Sequence, residues 1–181
     1  MTPIHLLAIC GSLRAASSNR ALLEAAQELA PEGMVISLYN GLAGLPHFSP
    51  DLESAETLPD EVTQLRSSVA AADGLLIACP EYMHCLPGSF KNMLDWLVGC
   101  TDFPGKKIAL FQAASRHEYV PEMLRDVLKT MAGEVVEEAC LMLPARSNAL
   151  DKRAISEDKL SAARIQDGLQ TFADAIRTAR S

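Results

Sequence analysis

Two short stretches of this 181-residue chain gather the side chains that chemistry needs. The first, GSLRAASSN from Gly11 to Asn19, brings hydroxyls at Ser12, Ser17 and Ser18, an amide at Asn19 and one fixed charge at Arg14. Unsatisfied amides and the positive dipole end of a helix attract an anion, and side-chain donors at the same spot suit a phosphate monoester. Arg14 can make a bidentate contact with it. The stretch lacks GxxxxGKS and GxGxxG, so nucleoside triphosphates and the usual dinucleotide fingerprint are disfavoured. A solvated loop leading into a capped helix is an equal alternative, because capping alone makes hydroxyl clusters common. The second stretch, CPEYMHCLPGSFKNMLDW from Cys79 to Trp96, places the ring-bearing and polar residues Glu81, Tyr82 and His84 between two prolines.

The elements around these stretches decide whether they meet. Ile4 to Cys10 is an apolar strand broken only by His5, and it runs directly into Gly11; Ala21, Leu22, Leu23, Ala25 and Ala26 then begin a helix, with Ser18 or Asn19 as its N-cap. Met34 to Tyr39 is a second strand. The run from Gly74 to Ala78 reads as a third, buried on both faces and ended by Pro80. Asp60 to Ala72 is a helix before it, and Pro87 opens another after it, with Phe90, Leu94 and Leu97 at helical spacing. Lys106 to Gln112 gives a fourth strand, Val120 to Met131 a helix, and a fifth strand starts near Val135. A last helix begins at Ser156 or Glu157, with Leu160, Ala163, Ile165, Leu169, Phe172 and Ile176 as its apolar positions. Five strands alternating with helices imply an α/β doubly wound five-stranded parallel sheet, order 2-1-3-4-5, with helices on both faces. Its switch point lies between strands one and three, so the loops starting at Gly11 and Pro80 should border one crevice.

Composition sets the outer limits. With 49% hydrophobic residues, the chain fits a single domain over 1–181. A net charge of -7 with no basic cluster argues against nucleic acid and anionic membrane surfaces as partners. No apolar run approaches the ~18 residues of a membrane span, and the start lacks an export-signal pattern, so the expected compartment is the cytoplasm. Cys10, Cys79, Cys85, Cys100 and Cys140 are odd in number and include no CxxC, which suggests neither a disulfide framework nor a metal site.

The two stretches also carry a family resemblance. PEYMHCLPGSFKNMLDW resembles the PEYNHGIPGxLKNAIDW signature of the NADPH-dependent FMN reductase family, GSLRAASSN resembles that family's GSxRxxSxN phosphate loop, and PHFSPDLES resembles its PxFxxDLE stretch. The resemblance runs from about Ile4 to Phe172 and implies a flavodoxin-like fold. It implies FMN as cofactor, with the phosphate held by Ser12, Arg14, Ser17, Ser18 and Asn19 and the ring system by Pro80, Glu81, Tyr82, Met83, His84 and Ser115. Backbone amides of Glu81, Tyr82 and Met83 are the expected partners of the flavin's pyrimidine edge. It further implies a ping-pong reaction from NADPH or NADH through FMN to a small-molecule electron acceptor: a quinone, azo compound, free flavin or chromate. The redox chemistry belongs to the cofactor, so no catalytic side chain is singled out. A homodimer or homotetramer is implied too, with the 40–58 connection, Trp96 and the helix after Pro87 as candidate contacts. The alternative class is a non-catalytic FMN-binding sensor or electron carrier.

Several residues have a plainer reading. Tyr82 either edges the flavin or anchors its loop. Trp96 is more often core or subunit interface than ligand contact. Cys10 and Cys79 end neighbouring strands, where small buried hydrophobes outweigh a redox pair. Cys85 fills a gap more readily than it does chemistry, because no base sits beside it. The chain departs from the family pattern at Met83, where the family has Asn, at Cys85, and at Arg116 to Glu118, where a glycine-rich loop is common.

Overall fold

The computed structural model describes residues 2–114, 119–144 and 150–180. Strands β1 (Ile4–Cys10), β2 (Met34–Tyr39), β3 (Gly74–Ala78) and β4 (Lys107–Ala114) pair in parallel in the order β2-β1-β3-β4. Beyond β4 the expected fifth strand is broken in two. β5 (Glu134–Val135) pairs with residues 107 and 108, and β6 (Leu141–Pro144) pairs with residues 111 to 114. Glu137–Ala139 forms a 3-10 turn between them, and the Leu110 amide donates to Cys140 Sγ at 3.3 Å. A thiol thus fills the gap where a strand carbonyl would stand, and the order 2-1-3-4-5 holds with its last position split.

The period of two along each strand divides the core into two layers. Leu6, Ala8, Leu76 and Phe111 face α1 (Ser18–Glu28), α6 (Lys152–Glu157) and α7 (Lys159–Arg180) through Leu22, Ile155 and Phe172. Leu7, Ile9, Leu75 and Ile77 face α3 (Asp60–Ala71), α4 (Gly88–Val98) and α5 (Val120–Thr130) through Val62, Phe90 and Leu124. The last helical region starts earlier than the apolar pattern suggests, because Asp151 caps α6 by accepting the Ala154 amide at 2.8 Å. Leu160 and Ala163, expected to be buried, are exposed; the buried stripe of α7 starts at Ile165. No helix among the described residues is long and apolar enough to cross a membrane.

The long 40–58 connection is built structure. It holds a 3-10 turn at Leu42–Gly44 and the short α2 (Pro50–Glu53), and its middle is fastened to α4. Trp96 Nε1 and Asn92 Nδ2 both donate to the Pro46 carbonyl, at 2.8 and 2.9 Å, while the Phe48 amide donates to Asn92 Oδ1 at 2.8 Å. Phe48 meets the Trp96 indole edge-on at 5.1 Å between centroids. Trp96 is fully buried within one chain, so it is core rather than a subunit contact. Arg66 completes the attachment by reaching Glu53 Oε1 at 2.7 Å and the Trp96 carbonyl through two nitrogens.

Candidate functional site

β1 and β3 deliver their loops to one place, and a glycine permits it. A Cβ on Gly11 would stand 2.9 Å from Cys79 Sγ, closer than packed atoms allow, and a tight 3.2 Å from Phe90. The Gly11 amide instead donates to the Ala78 carbonyl at 2.8 Å, extending the β1–β3 ladder to the lip of the crevice. Across that lip Ser12 Oγ and Tyr82 Oη lie 3.3 Å apart, joining the two stretches over 70 positions of sequence. Cys10 and Cys79 do not form a pair, because Cys10 belongs to the α1 layer and Cys79 to the α4 layer. Burial pushes the Cys10 thiol up from its ordinary range, against thiolate chemistry.

The first loop is anchored by the side chains expected to bind. Ser17, one position earlier than expected, is the N-cap of α1 and accepts the Arg20 amide at 3.3 Å. Ser18 Oγ accepts the Leu150 amide at 3.1 Å, and Asn19 Oδ1 accepts the Ala113 amide at 2.9 Å, which ties the start of α1 to the end of β4. Ser12 Oγ accepts the Arg14 amide at 3.2 Å. The Arg14 side chain is different: it is exposed and has no partner among the described residues. The first amides of α1, at Ser18 and Asn19, also have no partner among the described residues. Orphan amides at a helix N-terminus, with an uncommitted guanidinium on the same short loop, are a donor set that suits a phosphate.

The second loop folds as a tight turn. Tyr82 and Cys85 exchange backbone hydrogen bonds of 3.0 and 3.1 Å, with Met83 and His84 between them at φ 54° and 59°. Both central residues are left-handed, as in the type I′ turn that favours Asn and Gly. Met83 therefore stands in a conformation its side chain disfavours. The turn uses the Tyr82 amide, so of the three amides expected to meet a ligand those of Glu81 and Met83 remain. Tyr82, Met83 and His84 are exposed around the crevice, Met83 at 95%, and Pro80 is half-buried.

Glu81 does something its sequence position does not announce. Its side chain, only 14% exposed, accepts the Tyr119 amide at 2.5 Å and the Val120 amide at 3.2 Å, and lies 3.0 Å from His84 Nδ1. One carboxylate from the β3 loop thus caps α5, whose own N-cap residue makes no side-chain cap. Partial burial works to raise the Glu81 carboxyl, but the Val120 and Tyr119 amides and the His84 ring outweigh it and hold it below its ordinary range. The His84 ring in turn meets Tyr119 edge-on at 5.0 Å. No local pattern links positions 38 apart, so this cap has no sequence signal. Ser115, with Arg116 to Glu118, lies outside the described residues.

The arrangement offers an anion cradle at one end of the crevice and, at the other, a loop with free amides and ring edges, a donor set that fits a phosphorylated planar ligand such as FMN. Comparison with known proteins gives the same reading. The family model described as NADPH-dependent FMN reductase matches residues 4–147. The chain is 32% identical to an NAD(P)H-dependent FMN reductase of Pseudomonas aeruginosa, covering 98% of this chain and 97% of that protein. It is 32% identical to a quinone reductase of Escherichia coli over 62% of this chain and 60% of that relative. Among solved structures, the flavoenzyme NAD(P)H:(acceptor) oxidoreductase FerB from Paracoccus denitrificans superposes with a TM-score of 0.76 at 23% identity, covering 97% of this chain and 98% of that one. At that identity the superposition speaks for the flavodoxin-like fold alone. The two motifs, the sheet order and the family match together make this chain a member of the NADPH-dependent FMN reductase family.

Proposed function

We propose that this chain is an FMN-dependent oxidoreductase that draws electrons from NADH or NADPH and passes them to a small acceptor, such as a quinone, azo compound, free flavin or chromate. When bound, FMN supplies the redox chemistry, taking two electrons from the nicotinamide and releasing them to the acceptor. The protein's part is to hold, orient and expose it. Arg14 and the amides of Ser18 and Asn19 would hold the phosphate, with Ser12, Ser17 and the Asn19 side chain fixing the loop that presents them. The Glu81 and Met83 amides would meet the ring's polar edge, Tyr82, His84 and Pro80 would border it, and Ser115 would be a further contact. The exposed rim of Tyr82, Met83 and His84 suits acceptors of varied shape.

The observation that carries this reading is the Ser12–Tyr82 contact, which brings the anion loop and the ring-bearing loop to one crevice. We assign the chain a single domain, assembly as a homodimer or homotetramer, and a cytoplasmic location as parts of the same proposal. The deciding experiment is the visible spectrum of the FMN-loaded protein before and after anaerobic NADPH. Rapid bleaching, reversed by a quinone, is the expected result. A bound flavin that stays oxidised with both NADPH and NADH would overturn the enzyme in favour of a carrier or sensor, and failure to bind FMN would overturn the cofactor.

A further inference from the structure

At the rim of the crevice one ring is held at one nitrogen and open at the other. His84 Nδ1 lies 3.0 Å from Glu81 Oε1, the side chain is 76% exposed, and Nε2 has no partner among the described residues. The Glu81 carboxyl is held below its ordinary range, so it is ionised near neutral pH and can only accept. The hydrogen in the contact therefore belongs to Nδ1. The neutral ring carries its one hydrogen there, which leaves Nε2 as the atom that takes up and gives back a proton. Glu81 is itself fixed by its bonds to the Tyr119 and Val120 amides, and Tyr119 braces the imidazole edge-on at 5.0 Å.

Reduction of a quinone needs more than electrons. A quinone that receives a hydride becomes a hydroquinone monoanion, and one proton must still reach its second oxygen. A donor placed beside that oxygen stabilises the charge as it develops. Of the side chains that border the crevice from the second loop, Met83 has no proton to give and the Tyr82 hydroxyl is engaged with Ser12 at 3.3 Å. A histidine alone among them exchanges a proton near neutral pH.

We propose that His84 is the proton donor to quinone acceptors, with Glu81 as the residue that positions it; the inference rests on the reductase reading above. In the step, the Nε2–H bond of the imidazolium breaks as an O–H bond forms at the quinone oxygen. The ring keeps the electron pair, and solvent returns a proton to it. The carboxylate at Nδ1 balances the ring's charge before transfer and keeps Nε2 as the transferring atom.

The variant His84→Asn separates the two ends of the ring. An Asn amide can stand where Nδ1–H stands, and Asn adopts the left-handed backbone found here at φ 59°, so tether and turn are kept while the Nε2 proton is lost. FMN-loaded protein reduced with NADPH is mixed, at about pH 6 where histidine is ordinarily protonated, with a benzoquinone or with ferricyanide, which takes electrons and no proton. The readout is the ratio of the two reoxidation rates in one preparation, in which any loss of flavin cancels. The ratio should fall about tenfold in His84→Asn, below the about 10²–10⁴-fold typical of a general acid because water competes at an exposed ring. Apart from turnover, the 15N signals of the His84 ring, identified by their loss in His84→Asn, should show the neutral form with its hydrogen on Nδ1. An unchanged ratio, equal slowing with both acceptors, or a hydrogen on Nε2 in the neutral ring would each overturn the assignment. A flavin that neither NADPH nor NADH bleaches would overturn the reductase reading and this inference with it, whereas bleaching followed by an unchanged ratio removes His84 alone.

Discussion

The two loops that meet at the crevice are built on opposite principles. The loop from Gly11 to Asn19 is sunk into the scaffold: Ser12, Ser17, Ser18 and Asn19 are buried, and each side chain already accepts a backbone amide. The loop from Pro80 to Pro87 stands outside it, with two left-handed residues at its tip and one half-buried carboxylate as its tether. The contrast separates two tasks. A phosphate monoester presents the same group whatever ring it carries, so the loop suited to it can be rigid and general. The tip of the second loop is exposed rather than sunk into the scaffold, and it tolerates strain at Met83. Residues of the first loop should therefore act on fold and cofactor retention together, and those of the second on local order and access.

The sharpest challenge to that contrast is Asn19→Leu. It strands the partly buried Ala113 amide, and loss of such a partner costs about 1 kcal/mol or more; a urea midpoint and an FMN titration should both fall, and a variant losing FMN alone would break the scaffold reading. Arg14→Ala comes next. Charge-assisted bonds contribute about 1.5–3 kcal/mol, so FMN affinity should drop about tenfold to a hundredfold while the unfolding midpoint stays within error, as expected for an exposed side chain. Glu81→Gln keeps an accepting oxygen on the tether but removes its charge, which near a helix N-terminus contributes about 0.3–1 kcal/mol. Its pH dependence has a definite sign. The Glu81 carboxyl is held low in the fold, so its contribution is complete above the unfolded value of about 4.3 and is lost as pH falls through the lower folded value. The stability gap between parent and Glu81→Gln should accordingly be full at neutral pH and close on acidification; a constant gap would assign the effect to packing. The smallest effect is expected from Met83→Asn, which relieves part of the left-handed cost and should add about 0.5 kcal/mol, seen as a small rise in midpoint with FMN affinity unchanged.

Much of the frame was legible because it is written locally. Ile4 to Cys10, broken only by His5, and Gly74 to Ala78 are apolar runs, and Pro80 marks where the third strand must end, so the switch point and its two loops followed from order alone. The broken fifth strand was hidden because Val135 and Val136 continue an apolar pattern, while the interruption lies in the turn at Glu137–Ala139 and in the Leu110 amide meeting Cys140 Sγ. Leu160 looked like core because helical spacing gives a face but not where along a helix contact begins. At the site, residue types identified the loops, while the partners of Asn19 and Glu81 are tertiary: one bond spans 94 positions and the other 38. A cap supplied by a distant carboxylate leaves no mark beside the helix it caps.

The Pro46 carbonyl has a bearing on how this chain tolerates insertion and deletion. It accepts from both Trp96 and Asn92, so trimming the connection around it would leave a buried indole and an amide without an acceptor. Surface connections of such length usually vary freely among relatives. Here the length of residues 40–58 is tied to the identity of two side chains on another element, so natural variants that shorten it should also have replaced Trp96 and Asn92.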